Sequence, residues 1–145
     1  KEGLPLLERA LADGSALDVF RRLVKAQGGD ARVVDDPSRL PQSKAKLVVS
    51  AAKSGYISSI DALALGLLAI ELGAGRTRAD KKIDPAAGFE LQTNVGERVE
   101  QGAPLITIHA VSRAKAKQVE ARVTQAFALG SRAPRPRRLV LERLR

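Results

Sequence analysis

The sequence predicts an α+β fold, with a helical lead-in, a small strand-rich body and covering helices. Apolar residues first recur at three- and four-residue steps, up to about residue 27, which is the period of amphipathic helices. After residue 45 the pattern changes to short runs rich in β-branched residues, the mark of strands. A strongly apolar segment after Asp61 then ends in glycines, as a buried helix does.

The elements follow in order. Pro5 to Ala12 reads as a helix with Leu4, Leu7 and Leu11 on one side. Asp13-Gly14-Ser15 stops it and offers Ser15 as the N-cap of the next helix. That helix, Ala16 to Gln27, sets Leu17, Phe20, Leu23 and Val24 against Arg21, Arg22 and Lys25 on the opposite face. Gly28-Gly29 ends it, because glycine accepts the left-handed C-terminal position. Asp30 to Lys44 holds Pro37 and Pro41 and reads as an irregular linker, extended before each proline.

Lys46 to Ser50 and Tyr56 to Ile60 read as strands joined by a turn at Lys53-Ser54-Gly55. Asp61 caps a helix reaching Leu72, apolar nearly all round and therefore expected to be buried. Gly73-Ala74-Gly75 closes it, and Arg76 to Lys82 forms a short basic loop. Strands are expected around Phe89 to Gln92 and Leu105 to His109, with a turn-rich stretch from Val95 to Gly102 between them. A last amphipathic helix runs from Arg113 to Leu129 on Val119, Val123, Ala126 and Phe127. Arg137 to Leu144, with Leu139, Val140 and Leu141, is expected to close the fold as a strand. The boundaries that follow are a lead-in at 1–29, a linker at 30–45 and a C-terminal domain at 46–145.

Composition narrows the function. Apolar residues at 44% and charged residues at 28% suit a soluble globular protein. No apolar stretch approaches the roughly twenty residues of a membrane span, so no membrane partner is expected. The absence of cysteine excludes disulfides and thiolate chemistry and suits a cytoplasmic location. The chain has no methionine, so a trimmed or fragmentary polypeptide is expected. Its net charge of +9 suggests an anionic partner, but aromatics are only 3%, leaving little for bases to stack on. A stand-alone basic module for anionic ligands or nucleic acid is the alternative reading, and no dedicated nucleic-acid partner is expected.

With one histidine and no cysteine, neither a metal nor a cofactor is expected. His109 ends an apolar strand, and either a general base or a hydrogen-bonded structural residue fits that place. The sequence identifies no orienting carboxylate for it, which favours the structural role. Gly73-Ala74-Gly75 has the spacing of a phosphate cradle, but such a cradle opens a helix, whereas this one ends it. The negative end of the helix dipole favours the cations Arg76 and Arg78, so the glycines read as a C-cap. The Arg76 to Lys82 loop remains the best place for side chains that face an anion.

Ser54 to Ile60 and Val95 to Leu105 resemble the two half-motifs of lipoyl- and biotinyl-carrier domains, implying a barrel-sandwich, hammerhead-like strand arrangement. A carrier also needs a lysine at a hairpin tip. Asp80-Lys81 instead follows a helix, and a helix separates the halves, so the resemblance implies architecture without the carrier function. The whole order KSGYISSID, LGAGR, IDPAAG, VGERVEQGAPL and the tail SRAPRPRRLVLERL is similar to the C-terminal region of the thymidine and pyrimidine-nucleoside phosphorylase family. The similarity runs from about Leu11 to the end of the chain.

That resemblance implies reversible phosphorolysis in the parent enzyme, from pyrimidine nucleoside and phosphate to free base and pentose 1-phosphate. It implies a homodimeric parent, with the substrates bound in a cleft between a helical and an α/β domain. The family's phosphate- and base-binding motifs have no match here. No catalytic residue is therefore expected in this chain, which should be inactive without the remainder of the parent. Gly73, Gly75, Arg76, Thr77 and Arg78 resemble a segment at the cleft mouth, which implies a part in closure.

Overall fold

A computed structural model of the chain describes residues 3–76, 78, 80–136, 140 and 142. The chain divides into two units, Lys1–Gln42 and Ser43–Arg145.

The first unit is helical. Helix α1 spans Gly3–Ala12 and α2 spans Ser15–Ala26. Ser15 is the first helical residue rather than the cap, because Gly14 takes the N-cap position with a left-handed φ of 81. The Asp13 carboxylate accepts the Ser15 amide at 2.9 Å, which sets the turn between the helices. At the other end Gly28 has φ 77, its amide donates to Lys25 O at 3.0 Å, and Gly29 donates to Val24 O at 2.9 Å. This paired C-cap is the one the glycines predict.

The segment expected to be irregular contains two short 3-10 turns, Ala31–Val34 and Pro37–Arg39. The side chains of Asp30 and Asp36 impose them by accepting the amides of Arg32 and Ser38. Leu40, before Pro41, is extended at φ −71 and ψ 151, as a residue preceding proline should be. No residue of α1 or α2 is buried, and Leu4, Leu7, Leu11, Leu17, Phe20 and Leu23 are exposed.

The second unit mixes strands and helices. Its strands are β1 (Ala45–Ser50), β2 (Gly55–Ile60), β3 (Gly88–Leu91), β4 (Arg98–Val99), β5 (Pro104–Ala110) and β6 (Phe127–Gly130). Its helices are α3 (Ala62–Ala69) and α4 (Arg113–Gln125). The strands form two antiparallel three-stranded sheets, ordered β1-β5-β3 and β4-β2-β6, and neither closes into a barrel.

The turn after β1 does not fold it back on β2. It carries the chain into the other sheet, while Ala51 exchanges backbone hydrogen bonds with Gly102 and Ala103, both at 2.8 Å. The two half-motifs meet where β2 pairs with β4. Gly55 faces Val99, Tyr56 faces Arg98, and Ile57 bonds Glu97 O and the Gly96 amide at 2.9 and 2.8 Å. Glu97 organises the intervening turn by accepting from Asn94 and Thr93, which hold its carboxyl below the usual range.

Helix α4 stops at Gln125, short of the expected Leu129. Phe127–Gly130 instead pairs with β2, placing Phe127 opposite Ile60 and Leu129 opposite Ile57. Strand pairing across the fold outweighs the local helical spacing there. The strand expected at 137–144 lies outside the described residues except for Val140 and Glu142.

Leu105, Ile106 and Ile108 of β5 are fully buried together with Ile57, Val119 and Val123. Helix α4 packs Ala116, Val119 and Val123 inward, over β1 and β5. In contrast, α3 is not buried all round: Leu65 and Leu68 enter the core, whereas Leu63 is 75% and Leu67 60% exposed. These two classes of leucine and isoleucine should behave differently in this chain. Ile108→Ala should lower the urea-unfolding free energy by about 2–5 kcal/mol through the cavity it leaves. Leu63→Ala should cost less than about 0.5 kcal/mol, because three-quarters of its surface already lies in solvent.

Candidate functional site

The candidate site is the glycine-bounded loop that follows α3. The Asp61 carboxylate accepts the Ala64 amide at 2.9 Å, the cap the sequence predicts. The Asp61 amide donates to Ala126 O at 2.8 Å, tying the start of α3 to the end of α4. At its other end α3 widens into one π-type turn, Ile70–Ala74, whose Leu72 is buried.

Gly73 leaves the helical conformation at φ 117 and ψ 0, a region that favours glycine. Its carbonyl accepts the Asp84 amide at 2.9 Å, so the two ends of the basic loop are joined at a common base. The Asp84 carboxylate then accepts the Ala86 amide at 3.0 Å. Gly75 is extended, and a Cβ there would lie 2.7 Å from Ile70 Cγ1, so its glycine allows a close backbone approach.

Beyond this base the cations stand in solvent. Arg76, Arg78, Lys81 and Lys82 are exposed, and Arg78 Nε lies 3.4 Å from Asp80 Oδ1. That exposed pair contributes little and leaves the loop strongly basic. Thr77 lies outside the described residues.

A second charge pair supports the turn. Glu71 stands near the C-terminal end of α3, where the helix dipole disfavours a carboxylate. Arg122 of α4 answers it with two hydrogen bonds, 2.9 Å to Oε2 and 2.7 Å to Oε1. The Arg122 hydrogen bonds lower the Glu71 pKa from its ordinary 4.5, aided by the charges of Arg122 and Lys115. The two residues are 51 positions apart, and no sequence motif links them.

His109 lies on β5, between Lys46 of β1 and Gly88 of β3. Its Nδ1 is 3.0 Å from Ser43 Oγ and its Nε2 is 3.3 Å from Glu90 Oε2. An imidazole with its proton on Nε2 satisfies both contacts, donating to Glu90 and accepting from Ser43. The structure thus supplies a carboxylate that the sequence could not reveal. Both contacts join neighbouring segments of one sheet, so the imidazole fastens the strand ends. Among the described residues no hydrogen bond or ion pair joins His109 to the basic loop.

The family model for the pyrimidine nucleoside phosphorylase C-terminal domain matches residues 56–130, spanning β2 to β6 with α3, the loop and α4. The chain is 48% identical over 109 residues to a pyrimidine-nucleoside phosphorylase of Geobacillus stearothermophilus, covering 75% of this chain and 25% of that protein. It is 40% identical over 131 residues to the pyrimidine-nucleoside phosphorylase of Bacillus subtilis (strain 168), covering 90% and 30%. It is 37% identical over 145 residues to a thymidine phosphorylase of Agrobacterium fabrum, covering 99% and 33%. The chain therefore spans about a quarter to a third of the length of these curated relatives.

The Glu71–Arg122 pair carries a pH dependence whose sign is fixed. A carboxyl with a folded pKa below its unfolded value contributes stability above about pH 4.5 and loses it as pH falls through the folded pKa. In Arg122→Gln the Glu71 carboxyl should titrate closer to 4.5, as followed by its side-chain carbon chemical shift. The acid limb of the stability curve should flatten accordingly. An unchanged Glu71 titration would show that the bidentate pair does not form in solution.

Proposed function

Because the chain belongs to the pyrimidine nucleoside phosphorylase C-terminal domain family, we propose that it is the non-catalytic C-terminal part of a pentosyl-transferring phosphorylase. The observation that carries this reading is the family match over residues 56–130, which takes in strands β2 to β6, helices α3 and α4 and the glycine-bounded loop. The proposed parent reaction is reversible: phosphate attacks the anomeric carbon of a pyrimidine nucleoside as the glycosidic bond breaks. The products are the free base and a pentose 1-phosphate. The catalytic residues belong to the polypeptide outside this chain, in a cytoplasmic homodimer.

Within that parent, residues 1–29 belong to the α/β domain, where neighbouring structure covers the exposed leucines of α1 and α2. The second unit completes the domain and presents Gly73, Gly75, Arg76, Thr77 and Arg78 at the mouth of the substrate cleft. Gly73 and Gly75 give the loop a firm base, on which Arg76 and Arg78 swing toward the anionic substrate as the cleft closes. Water is thereby excluded from the reacting phosphate. The +9 charge of the chain is met by this role in part, which leaves the free-standing basic module without support.

The test is Arg76→Ala with Arg78→Ala in the full-length parent. The expected outcome is a fall in kcat/KM for phosphorolysis of about tenfold or more, equivalent to about 1.4 kcal/mol of transition-state stabilisation. Unchanged kcat and KM would remove the loop from the mechanism.

A further inference from the structure

Helix α3 is apolar on nearly every side, yet among the described residues only one side of it is covered. Leu65 and Leu68 enter the core, while Leu63 and Leu67 stand 75% and 60% exposed. Leu67 also lines a groove of about 420 Å³ between α3 and α4, together with Ala64, Leu68 and Ala126. Charged and polar groups, including the Glu71–Arg122 pair, complete the lining. An apolar centre bordered by hydrogen-bonded charges is the anatomy of a protein–protein contact. A helix that is apolar all round is normally buried all round.

We propose that the Leu63–Leu67 face and the adjoining α3–α4 groove dock against the polypeptide that lies outside this chain in the full-length parent. An aliphatic or aromatic side chain of that polypeptide enters the groove beside Leu67. The length of that polypeptide argues for it as the occupant: about two-thirds of the Agrobacterium fabrum relative lies beyond a match that takes in 99% of this chain. The family match takes in the residues of both α3 and α4. The proposal rests on the phosphorylase reading for the existence of the parent, but concerns a face distinct from the basic loop. Docking there also bears on the loop, because α3 leads directly into the Gly73 base.

The test uses thiol protection in the full-length parent. This chain has no cysteine, so Leu67→Cys and, as an exposed reference, Gln101→Cys each place a single thiol within it. Alkylation by N-ethylmaleimide is followed by peptide mass spectrometry, with and without denaturing urea. The Leu67→Cys thiol should react at least about tenfold more slowly than the Gln101→Cys thiol in the native protein, and equally fast in urea. Equal native rates would overturn the proposal. Leu63→Cys gives the same readout should Leu67→Cys fail to fold. Phosphorolysis of wild-type protein separates the two ideas. Active protein with Leu67 open to reagent retains the functional reading and loses the interface, while inactive protein with Leu67 protected does the reverse.

Discussion

The burial of β5 between β1 and β3, beneath α4, is the constraint on which the second unit depends. Leu105, Ile106 and Ile108 leave no face of the strand in water, and both of its hydrogen-bonding edges are occupied. Such a strand cannot slip, because moving by one residue would reverse every side chain. Its fixed register positions β3 and therefore the segment from Asp84 into the sheet. On the other side of the loop, α3 is held to α4 through Asp61 and through Glu71. The basic loop thus joins two anchored elements, and the Gly73–Asp84 hydrogen bond closes its base.

This arrangement separates rigidity from exposure in a way that suits a domain serving a larger enzyme. The base of the loop is tied by backbone groups, whereas its arginines and lysines project into solvent. His109, the residue that most invited a catalytic role, is engaged at both ring nitrogens within its own sheet. Helices α1, α2 and α3 each leave leucines exposed, Leu11 at 76% and Leu63 at 75% among them. The curated relatives are about three times longer than this chain, which gives that surface a natural explanation.

What could be read in the sequence was set by nearest neighbours in the chain. Asp61 announces the start of α3, and Gly28 announces the end of α2, because each cap is decided within a few residues. The strand pattern of Leu105 to His109 was plain for the same reason. The fate of Phe127 was not, since its helical spacing is local but its pairing with Ile60 is distant. Ser15 becomes the first helical residue because the Asp13 carboxylate accepts its amide across Gly14, which takes the left-handed N-cap position. Of the candidate site, the two glycines and the basic side chains were legible. Asp84 and Arg122, which fix the loop and the turn before it, act across the fold and left no local mark.

The most direct measurement of the account is phosphorolysis of thymidine and uridine with inorganic phosphate, by this chain alone and by its full-length parent. The account predicts pentose 1-phosphate from the parent and none from the chain. Turnover by the chain itself would contradict it, placing catalytic groups among residues assigned here to structure and closure. An inactive parent would contradict it equally, by removing the reaction that the domain is held to serve.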